Sequence, residues 1–151
     1  MAGKELKGVG GWLLLLILGL TVFNPLLTLS EFGQMQAELA NAPNLKDLPE
    51  WQQLQKAVYT SAAVDTLIRI AAGLMLAFHH KPISPKIAVA TLWLSSTLAF
   101  VILYMMLPAE LASDVIAELS PNIIKVLLSA IVWTLYLRRS KRVWNTYFEA
   151  K

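Results

Sequence analysis

Two ionisable residues of opposite sign, Asp65 and Arg69, stand four positions apart inside an otherwise apolar run, residues 57–78. On a helix, positions i and i+4 share a face and lie close enough for their side chains to pair. The middle of the run falls between them, so in a bilayer both would sit near the centre. Charges at that depth are costly, and they serve either ion or proton traffic or an internal pair that fixes helix packing. Both roles fit Asp65 and Arg69. Lys125, near the start of a later apolar run, either joins Asp65 in a charged cluster or snorkels to the interface. Asn24 and Pro25 interrupt the first apolar run. The missing backbone donor predicts a helix kink, or a broken-helix binding site of the kind transporters use. No matching interruption occurs in the second half of the chain, which favours the plain kink.

Other arrangements point away from catalysis. His79 and His80 are neighbours in a loop that contains no Asp or Glu, and adjacent rings rarely converge on one ion, so no metal site is expected. The chain has no Cys, which excludes disulfides, iron–sulfur ligation and thiol chemistry. A Gly-rich phosphate loop, HExxH and GxSxG are all missing, so neither an enzyme nor a cofactor is expected. Glu110, Asp114 and Glu118 repeat every four residues. They form an acidic stripe, either a solvated face or a surface for a cation or basic partner. With Leu111, Val115, Ile116 and Leu119 on other faces, the stripe predicts a short helix lying flat at the outer interface. Phe32, Met35 and Leu39 predict a second such helix before breaks at Pro43 and Pro49, with Trp51 in the interfacial belt. At the C-terminus, Arg138, Arg139, Lys141 and Arg142 form a basic cluster, each charge contributing about 1 kcal/mol of attraction to anionic lipid near the surface. Trp144, Tyr147 and Phe148, at i, i+3 and i+4, can tuck one face into the headgroups. Anionic phospholipid on the cytoplasmic face is therefore the expected contact, with a protein-docking tail as the alternative.

The elements that position these residues follow from composition. Of 151 residues, 56% are hydrophobic and 15% charged, against about 45–50% and 25% in soluble domains. Mean hydropathy is +0.55. Crossing the hydrocarbon layer takes about 20 apolar helical residues, and four such runs lie at about 10–31, 56–78, 86–107 and 121–138. Ser84–Pro85 and Ser120–Pro121 each set a capping hydroxyl before a proline at a run's start. The expected fold is all-α, a single domain over residues 1–151. Its architecture is a four-helix transmembrane bundle with short interfacial helices in the outer loops. The first run is longer than a signal peptide's apolar core and no small-x-small site follows it, so it reads as a retained helix. Lys4, Lys7, Lys81, Lys86, Arg138, Arg139, Lys141, Arg142 and Lys151 fall on one side of such a bundle, and only Lys46 and Lys56 on the other. That bias predicts cytoplasmic N- and C-termini. The net charge of +3 thus reflects membrane orientation, and no nucleic-acid partner is expected.

Two end segments carry a resemblance. GVGGWLLL, residues 8–15, enters the first run through a double glycine and Trp12, and YLRRSKRVWNTYF, residues 136–148, leaves the last. With four spans and short length, these motifs resemble the DUF2569 family of bacterial integral membrane proteins. The resemblance implies a multi-pass inner-membrane protein and brings no reaction or catalytic residue with it. The function expected is non-enzymatic, an accessory or assembly subunit acting through lipid and a membrane-protein partner or a homo-oligomer. The alternative is a small oligomeric transporter or proton-coupled carrier using Asp65 and Arg69.

Overall fold

The computed structural model describes residues 7–41, 44, 48–106 and 109–149, with backbone alone for 38, 96, 99, 100, 103 and 109–123. Gly11 takes φ 56°, a left-handed turn open to glycine, and precedes α1 (Trp12–Leu18). A five-residue π-helical segment, Gly19–Phe23, follows and leads into α2 (Asn24–Asn41). Pro25 explains it. Its ring crowds the carbonyl four residues back and it offers no N–H, and a widened turn just upstream accommodates both defects. Asn24 N–H accordingly bonds Gly19 O, five residues back, and Thr21 Oγ1 donates to Ile17 O at 2.8 Å. The irregularity anticipated at Asn24–Pro25 therefore takes the form of a π turn, and the helix does not break.

Beyond it come α3 (Pro49–Phe78), α4 (Ile83–Met106), α5 (Ala109–Arg139) and the short α6 (Lys141–Tyr147). Pro49 opens α3 behind an extended Leu48, the position where a missing N–H costs nothing. No strand occurs among the described residues. Two helices, Trp12–Asn41 and Pro49–Phe78, are long and apolar enough to cross a membrane, and Ile83–Ser95 adds a shorter apolar stretch.

Three sequence expectations change here. The outer loops hold no separate interfacial helices among the described residues: 31–41 simply extends α2, and 109–120 extends α5. On α2 the extension is held by packing. Phe32 meets Tyr59 edge-on at 4.6 Å, Gln36 and Gln55 both donate to the Tyr59 hydroxyl, and Leu39 is buried. On α5, residues 109–119 are rich in Ala, Leu and Glu, strong helix formers that carry the helix through Pro121. The side chains of the acidic stripe Glu110, Asp114 and Glu118 lie outside the described residues, as do Pro43 and Lys4, Lys46 and Lys151. Ser84 is also not a cap. Its buried hydroxyl donates to His79 O, tying the start of α4 to the end of α3.

The core gathers Leu13, Leu16, Leu20, Leu76, Leu92 and Leu137 with Val143 and Tyr147 of α6. α3 runs closely along α4, α5 packs chiefly on α4, and the π turn packs on α3. Gly73 permits the last contact: a Cβ there would lie 2.5 Å from the Thr21 methyl and 3.2 Å from Leu20 Cβ. Outward, Leu29, Leu67, Phe78, Tyr104 and Met105 are exposed, an exterior suited to acyl chains.

Candidate functional site

Midway along α3, Arg69 Nε donates to Asp65 Oδ2 at 2.7 Å, and each side chain is 17% exposed. This is the one ion pair among the described residues. It leaves groups over. Asp65 Oδ1 is buried without a partner, as are Asn24 Oδ1 and Thr66 Oγ1. Each such atom costs about 1–3 kcal/mol if it stays dry, so the cluster holds unsatisfied bonding capacity.

Three cavities surround it. One of about 430 Å³ between α2 and α3 is lined by Asn24, Thr28, Glu31, Ser61 and Asp65 among others. A second, about 190 Å³, touches Leu16, Gly19, Asn24, Arg69, Ser129 and Trp133. A third, about 180 Å³, is lined by Arg69, Leu92, Lys125, Val126, Ser129 and Ala130. Asn24 thus borders cavities on both flanks of the pair. Because α5 lies against α4, Lys125 shares a cavity with Arg69 and makes no ion pair with Asp65.

The other end of the molecule is built from the terminal segments. Ser140 is extended and caps α6, with Val143 N–H donating to its hydroxyl at 3.5 Å. The chain therefore turns after α5 and folds back. Tyr147, 1% exposed, donates its hydroxyl to Leu76 O and stacks on His80 at 5.9 Å. Burial, with Tyr136 adding, pushes its phenol up to about 12. Arg142 lies over the glycine loop, where a Cβ on Gly10 would be 2.5 Å from its Nη1. Tyr147 is consequently core, which corrects the expectation that it enters the headgroups with Trp144 and Phe148. Those two face out, stacked at 4.8 Å.

Beside them lies a groove of about 370 Å³ lined by Pro85, Lys86, Val89, Leu137, Arg138, Ser140, Trp144 and Phe148. Two cations and no acid edge it. Of the basic cluster, Arg138 enters the groove, Arg139 and Lys141 are exposed, and Arg142 is half-buried. Among the described residues, no group of three or more His, Asp or Glu is placed to hold a metal. Sequence reasoning missed Lys86 as a neighbour of Arg138 and missed Gly73. Gly73, the one glycine within α3, was the available signal.

A family model described as a protein of unknown function, DUF2569, matches residues 6–148. The chain belongs to that family. Neither a curated protein nor a solved structure matches it.

Proposed function

We propose that this DUF2569 member is a four-span protein of the bacterial inner membrane with both termini in the cytoplasm. In this reading it is a non-enzymatic accessory or assembly subunit, acting through contacts with lipid and other membrane proteins. The observation that carries the topology is the bond between the two ends, Gly8 N–H to Thr146 Oγ1 at 2.9 Å. Ends that touch share one side of a membrane, which requires an even number of crossings. Four long helical segments supply them, and the Lys/Arg bias makes the shared side cytoplasmic.

In this reading the lipid contact is the Lys86–Arg138 groove, whose cations standing over apolar walls suit an anionic headgroup on its acyl chains. Co-purification in mild detergent, with identification of bound lipid and protein, tests the reading. Phosphatidylglycerol retention that falls in Lys86→Gln/Arg138→Gln, together with a stoichiometric partner, supports it. Retention unchanged in the variant and a chain that purifies alone would overturn it. The carrier reading keeps one specific observation in its favour, the cavities flanking Asp65 and Arg69. Substrate flux in proteoliposomes would select it.

A further inference from the structure

Arg69 is only partly used by its ion pair. Its Nε–H goes to Asp65, while no Nη bond to a described residue accompanies it. Lys125 has no ion-pair partner among the described residues either. The two cations line one cavity of about 180 Å³ together with Ser129, and no carboxylate among the described residues joins them there. Over the whole cluster Asp65 and Glu31 match Arg69 and Lys125 in number, but Glu31 lines the cavity on the other flank. The side of the cleft that holds Lys125 and Arg69 therefore carries two cations and no described carboxylate of its own. Two cations on one face of a cleft favour an anion between them.

The adjoining cavity decides what kind. It shares Arg69, Leu92 and Ser129 with the first, and its remaining walls are mainly Leu16, Leu20, Leu27 and Trp133, with Asn24 as a polar group. A hydrated inorganic anion needs donors around its whole surface and would leave this chamber unused. A carboxylate on an apolar body uses both parts. Guanidinium N–H groups match the two oxygens of a carboxylate, Lys adds a point charge, and a serine hydroxyl adds one more donor. The volumes, about 180 and 190 Å³, suit a small ligand, since drug-sized pockets run from about 300 to 1,000 Å³.

We infer that the cleft between α3, α5 and the first helical stretch from α1 through the π turn into α2 binds a small lipophilic carboxylate. Its head lies among Arg69, Lys125 and Ser129, and its hydrocarbon body among Leu16, Leu20, Leu27 and Trp133. The site is separate from the cytoplasmic groove and stands whether or not that groove holds phospholipid.

The test uses the full chain in nanodiscs of zwitterionic lipid, with octanoate as probe and octanol as its uncharged counterpart. Thermal unfolding and equilibrium titration are the readouts. Octanoate should raise Tm saturably and octanol should not. Lys125→Gln should weaken octanoate binding about tenfold, roughly 1.4 kcal/mol, while Lys125→Arg keeps it. Because Lys125 is exposed, these variants should keep the ligand-free Tm, and Ser129→Ala gives a second, smaller loss if one of them fails to fold. Equal shifts with octanol, or full octanoate affinity in both Lys125→Gln and Ser129→Ala, would overturn the inference. So would displacement of octanoate by sulfate at equal affinity, or a cross-link from position 129 to an acidic transmembrane helix of another chain in native membranes.

Discussion

Gly8 and Thr146, 138 positions apart, are joined by a 2.9 Å hydrogen bond from the Gly8 N–H to the Thr146 hydroxyl. That hydroxyl in turn donates to Arg142 O at 2.7 Å. One oxygen therefore ties the glycine loop at the head of α1 to α6. The segments carrying the family resemblance form a single unit, seated on the core by Tyr147.

Removing that hydroxyl tests the unit. Thr146→Val keeps the shape and should cost about 1 kcal/mol, the net worth of a neutral hydrogen bond. The glycine loop should then be cut faster by trypsin at Lys7, whereas Thr146→Ser should behave as wild type. Equal cleavage rates in all three would show that the contact does not hold the loop.

The two glycines Gly73 and Gly33 should respond in opposite directions. A Cβ at Gly73 would press on Thr21 and Leu20, while at Gly33 it meets nothing within 4 Å. Gly73→Ala should lower stability by about 1–3 kcal/mol, the usual cost of overpacking. Gly33→Ala on exposed helix should raise it by about 0.5–1 kcal/mol. Thermal unfolding in detergent reads both, and a harmless Gly73→Ala would mean α3 and the π turn can separate.

Tyr147 sets an alkaline limit. The folded phenol is pushed up from 10.0 to about 12 by burial and by Tyr136, so between these values the unfolded chain has released a proton that the folded one retains. Stability should be independent of this group below pH 10 and fall as pH rises toward 12. Phenolate absorbance should contain a delayed component from Tyr147, and Tyr147→Phe should remove it. A titration with no late component would place Tyr147 in contact with water.

Helix locations and the α3 charge pair were legible because periodicity and length act locally: Asp65 and Arg69 meet through helix geometry alone. The terminal unit was not. Nothing in GVGG or RRSKRVWNTYF specifies the partner of Thr146, since that depends on how α5 turns back at Ser140. Outer-helix boundaries failed for a related reason. Pro121 reads locally as a start, and helix-forming residues before it override that signal. Of the two roles open to Lys125, pairing with Asp65 does not occur, because the docking of α5 on α4 sets it, exposed, at the edge of the Arg69 cavity.

Topology is checked by reporter fusions at residues 44, 82, 114 and 151, which should read outside, inside, outside, inside. Charge bias and the contact of the two ends agree on this outcome. An outside signal at 151 with an inside one at 82 would break the shared-side argument.

The Asp65–Arg69 pair makes the sharpest energetic prediction. Within one helix turn the two charges offset each other at 2.7 Å, so the pair can enter a bilayer as a neutral unit. Asp65→Leu alone strands a guanidinium and Arg69→Met alone strands a carboxylate; each should cost about 3–5 kcal/mol if the site is dry. Replacing both removes the burial penalty along with the attraction, so the double variant should be more stable than either single one. Its function then separates two roles. A folded double variant that keeps partner binding makes the pair a packing device, and one that folds yet loses binding or flux makes it part of the working site. Thermal unfolding across the complete cycle reads the coupling. Strictly additive single effects would mean that the 2.7 Å contact contributes no coupling energy, and Arg69 would then be compensated by what occupies its cavity.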